Sequence, residues 1–122
     1  VDAGNATFSR EALQITCQQW GVEKACVFLC SHLNDVEGEK QQARLFGLYS
    51  TLNDLTDDVL ERQSWHVFNL AHHQLEESSC IETQRLAVEC ITCLSNVSEW
   101  NEMKAQLSQI NMSLVTSYLT QK

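Results

Sequence analysis

The chain has 122 residues, 43% hydrophobic and 20% charged, the balance of a folded domain with its own core and not of a disordered tract. A net charge of −8, with the eight Lys and Arg scattered, argues against nucleic acid and anionic membrane as partners. Proline is absent and no apolar run approaches the ~18 residues of a membrane span, which leaves amphipathic helices joined by short turns.

Residues 1–8 read as a flexible polar leader, and residues 9–122 as a single all-α domain of about six amphipathic helices. The first segment runs from Ser9, a plausible N-cap, to Trp20, with Leu13, Cys17 and Trp20 on one face and Gly21 as its stop. The second spans residues 22–34 with Cys26, Val27, Leu29, Cys30 and Leu33, and Asp35 to Glu39 breaks it. In the third, residues 40–52, Leu45, Leu48, Tyr49 and Leu52 are spaced as one buried stripe.

The fourth segment opens on Thr56, with Asp57 and Asp58 at the positive helix end and Leu60, Val67, Phe68, Ala71 and Leu75 facing inward. The fifth opens on a capping box, Ser79-x-x-Glu82, followed by Leu86, Cys90, Cys93, Leu94 and Val97. The sixth runs unbroken from about Ser98 to Leu119 with the stripe Trp100, Met103, Leu107, Ile110, Leu114 and Tyr118. Its spacing is close to a coiled-coil seam, so this face packs either on the chain's own core or against a partner helix or second copy. Short connections make consecutive helices antiparallel, in a helical bundle or a short α-solenoid.

The pair formed by residues 25–33 and 41–52, and the run from Arg85 to Leu94, resemble units of α-helical repeat proteins of the HEAT, armadillo and PCI type. The resemblance covers about two thirds of the chain as a pattern of small residues and Cys at close helix contacts. It implies a solenoid-like fold and carries over no functional residue.

Six cysteines, Cys17, Cys26, Cys30, Cys80, Cys90 and Cys93, sustain two readings. In the oxidised one the chain is secreted, and helix neighbours bridge to another helix because they cannot bridge to each other. One such set pairs Cys26 and Cys30 with Cys90 and Cys93, and Cys17 with Cys80. Three sequons, at Asn5, Asn96 and Asn111, accompany it, where this content of Asn, Ser and Thr predicts about one by chance. In the reduced one the cysteines are small core residues of an intracellular protein, and that reading is preferred. Cys90-x-x-Cys93 lies mid-helix and lacks the helix N-terminus that redox thiols use. A zinc site built from Cys26, Cys30, His72 and His73 lacks the knuckle spacing of structural zinc.

The histidines, at 32, 66, 72 and 73, form no recognisable catalytic set, and the four dispersed glycines make no phosphate loop. No catalytic, cofactor-binding or metal residue is therefore assigned, and no cofactor is expected. The expectation is a non-enzymatic protein-interaction module, a helical scaffold or adaptor that binds another protein. Trp20, Trp65 and Trp100 are its candidate contacts, and the sixth segment is a candidate for self-association. The alternative is a secreted, disulfide-bonded helical glycoprotein acting as a signal or as a carrier of a small apolar ligand.

Overall fold

A computed structural model describes residues 21–121. The chain is all-α: among the described residues six α-helices and one 3-10 turn account for the regular structure, and there is no strand. The helices are α1 (Val22–His32), α2 (Glu39–Leu52), α3 (Asp57–Glu77), α4 (Ile81–Thr92), α5 (Trp100–Lys104) and α6 (Gln109–Gln121). The first predicted segment, with Leu13, Cys17 and Trp20, lies outside the described residues. The chain divides between Leu55 and Thr56 into two compact units.

In the first unit α1 packs on α2. Ala25, Cys26, Leu29 and Cys30 of α1 and Leu33 of the following 3-10 turn (Leu33–Asp35) are buried, as are Leu45, Leu48 and Leu52 of α2. Of the positions that the 3.6-residue period marked, these include all but two: Tyr49 is half-buried and Val27 is 38% exposed. Burying each Leu contributes about 2 kcal/mol. The end of α1 leaves carbonyls without helical partners, and α2 supplies donors for them. The Arg44 guanidinium donates to the His32 carbonyl at 2.7 Å, and the Gln41 amide reaches the Leu33 carbonyl at 3.4 Å. Gly38 starts α2 at φ 65, ψ −136, a backbone region that side chains disfavour strongly.

In the second unit α4 packs against both α3 and α6. The core joins Val67, Phe68, Ala71 and Leu75 of α3 to Leu86, Ala87, Cys90 and Ile91 of α4, with Leu94, Val97, Met103 and Val115 also buried. Ser64 and Thr92 are buried polar residues, and each hydroxyl donates to a carbonyl one turn back, Glu61 and Glu89, at 2.8 Å.

Two local expectations fail. The capping box at Ser79 and Glu82 does not form, because the helix begins one residue later with Cys80 at the N-cap. Glu82 then lies in the first turn, where the Arg85 guanidinium takes its carboxylate. The long sixth helix is also broken. Residues 105–108 leave the helix, and Ser108 restarts it by accepting the Asn111 amide on its hydroxyl at 3.2 Å, an N-cap that propensity alone does not reveal.

Candidate interaction surface

The restart at Ser108 changes which side of the last helix faces the core. Asn111 and Val115 are the buried residues of α6. Asn111 donates its side-chain amide to the Glu76 carboxylate of α3 at 2.5 Å. Ile110 and Leu114, drawn inward by the predicted stripe, are instead 76% and 40% exposed. Tyr118 of α6 and Leu107, in the break before it, are half-buried. The physical reason is rotational: one residue is 100° of helix, so a core contact made through 111 and 115 turns 110 and 114 away from it.

This face has two further properties. From Ala105 to Gln121 the sequence has no acidic, basic or histidine residue, in a chain of net charge −8. Beside the ridge runs a shallow, open groove of about 710 Å³, lined by Lys104, by Ala105, Leu107 and Met112 as its apolar surface, and by Ser113 and Ser117 among its small polar residues.

The tryptophans are spent differently. Trp20 lies outside the described residues. Trp65 is half-buried, stands edge-on to Phe68 with centroids 5.7 Å apart, and donates its indole N–H to Glu99 at 2.6 Å. Trp100 is half-buried with the Lys104 ammonium 5.9 Å above its ring. One turn before Trp65, the Glu61 carboxylate accepts the Ser98 amide at 2.7 Å and the Ser98 hydroxyl at 3.0 Å. Glu61 and Trp65 thus hold down the turn between α4 and α5.

That turn carries the sequon at Asn96, whose side chain is exposed. Asn111, by contrast, is 9% exposed and its amide is already engaged with Glu76. Asn5 lies outside the described residues.

No disulfide joins any two of Cys26, Cys30, Cys80, Cys90 and Cys93, and Cys17 lies outside the described residues. Cys26 and Cys30 are buried in the first unit. Hydrogen bonding from Cys30, and more weakly from the Thr51 side chain, holds the Cys26 thiol below its usual pKa against the opposing effect of burial. Cys90 is buried within α4, while Cys93 is half-buried at its C-terminal end. Cys80 is exposed at the opposite end of α4. There the Thr83 amide, the Thr83 hydroxyl and the Glu82 amide pull its pKa below the ordinary thiol value.

His32 pairs with Asp35 at 2.6 Å. His72 stacks on Phe68 and lies 3.8 Å from Glu76, whereas His66 and His73 are exposed. Among the described residues no group of three His, Cys, Asp or Glu could hold a metal ion, and no helix is long and apolar enough to cross a membrane. No protein-family model, curated protein or solved structure matches the chain.

Proposed function

We propose that the chain is a non-enzymatic interaction module, a helical scaffold or adaptor that docks another protein on the outward face of α6. The supporting observation is the exposed pair Ile110 and Leu114 on a helix whose opposite side is already anchored through Asn111 and Val115. A single exposed Leu needs no explanation. Here Ile110, Leu114 and Tyr118 of α6 follow at intervals of 4 residues, a spacing by which one helix receives another. The indole N–H of Trp65 is used within the chain, so the aliphatic seam is the better candidate contact.

A photo-crosslinking residue placed at 110 in the source cells tests this reading, with one at exposed Glu102 as control. A discrete adduct from 110 that the control lacks is expected. Identical patterns from both positions would contradict it.

One observation favours the secreted-glycoprotein alternative: Asn96 is an exposed acceptor in a turn. Intact mass before and after reduction with alkylation, and before and after glycan removal, checks it. Two unchanged masses would end that reading.

A further inference from the structure

We propose that the Asn96 sequon accepts a glycan only before the turn between α4 and α5 has folded, and that Val97 and Glu61 close it afterwards, an inference that deepens the glycoprotein alternative above. The three residues of the motif are held unequally. Asn96 is exposed, but Val97 beside it is 6% exposed and belongs to the core of the second unit. The Val97 amide donates to the Leu94 carbonyl at 3.1 Å, and the Trp100 amide donates to the Val97 carbonyl at 3.2 Å. Ser98 donates its amide to one carboxylate oxygen of Glu61 at 2.7 Å and its hydroxyl to the other at 3.0 Å.

The chemistry of the motif makes these bonds matter. Ser or Thr is demanded two residues after the Asn, so the transferring enzyme reads a hydroxyl. A hydroxyl has one proton to donate, and in the folded chain the proton of Ser98 is given to Glu61. Drawing the tripeptide into an enzyme cleft would also lift Val97 out of the core.

The donor is an oligosaccharide carried on a lipid diphosphate. Asn96 Nδ2 forms a bond to C1 of the first sugar, the bond from C1 to the diphosphate oxygen breaks, and the lipid diphosphate leaves. Nδ2 gives up one proton to a base of the enzyme. Folding leaves Asn96 reachable but withholds Ser98 and Val97, so only the opened turn reacts. Asn111 is open to the same transfer in the unfolded chain. A glycan there replaces the bond to Glu76 and keeps the residue out of its buried place, so chains that complete the fold are those bare at Asn111.

Purified oligosaccharyltransferase with a lipid-diphosphate oligosaccharide tests this on the folded 122-residue chain, with the unstructured peptide 92–102 standing for the chain before folding. Peptide mapping reads the rate at Asn96. Wild type should react at least about tenfold more slowly than the peptide, because only its rare open state is competent. Glu61→Ala should react faster than wild type with an unchanged far-UV spectrum. Glu61→Gln, whose amide oxygen still accepts one of the two bonds, should fall between them and serves if the Ala variant loses helix. A folded wild type as fast as the peptide would overturn the proposal. So would an unmodified peptide, or folded Glu61 variants no faster than wild type. If protein from its source carries no glycan while this order of rates holds, the glycoprotein reading fails and the closed acceptor stands.

Discussion

Asn111 is the residue on which the register of the last helix turns. Its amide gives one bond to Glu76 and its backbone N–H another to Ser108, so it ties α6 both to α3 and to its own first turn. Asn111→Ala removes the first of these and should cost about 1–2 kcal/mol, read as a lowered midpoint in urea unfolding with unchanged slope. The same burial makes Asn111 a poor glycan acceptor despite its sequon. Expressed through a secretory route, the chain should carry glycan at Asn96 and none at Asn111, and peptide mapping of the glycosylated product would show the reverse if the register were wrong. Cys80 makes a second residue-scale prediction. Iodoacetamide should label it before Cys26, Cys30 and Cys90, and its rate should rise with pH through a midpoint below that of an ordinary thiol. Because the folded pKa is the depressed one, the associated stability is present above the unfolded thiol's pKa and is lost as pH falls through the folded value.

At the scale of elements, two connections rest on identifiable residues. Gly38 sits at φ 65, ψ −136 with open space around an added methyl group, so Gly38→Ala pays only backbone strain. That should cost about 1–3 kcal/mol in thermal or denaturant unfolding. Glu61 holds the turn after α4, and Glu61→Ala should speed hydrogen exchange at the Ser98 amide while the α3–α4 core amides stay protected. The sequence was legible where apolar spacing alone decides the outcome. Leu45, Leu48 and Leu52, and Val67, Phe68, Ala71 and Leu75, are buried as their period requires. It was not legible where a polar residue competes with that spacing. At residue 80 a Cys took the cap that Ser79 seemed suited to, and Glu82 turned to Arg85 instead of a reciprocal bond. At 108–115 a Ser cap and an Asn–Glu pair outweighed the apolar stripe. The lack of charge from Ala105 to Gln121 was the signal that could have marked an unusual surface there.

On the scale of the whole molecule, an acidic chain keeps an uncharged tract at its last helix and leaves two large apolar side chains of that helix exposed. Hydration of those side chains costs free energy in the isolated chain, and docking recovers part of it at about 25 cal/mol per Å². Docking on this face requires Leu114 to point outward while its neighbour Val115 points inward. The decisive measurement is therefore a pair of urea melts, on Leu114→Asp and Val115→Asp, at low protein concentration. Leu114→Asp should stay within about 0.5 kcal/mol of the parent, and Val115→Asp, which buries a carboxylate in the core, should lose about 3 kcal/mol or more. Equal losses, or the reverse order, would contradict the outward face and the docking role built on it.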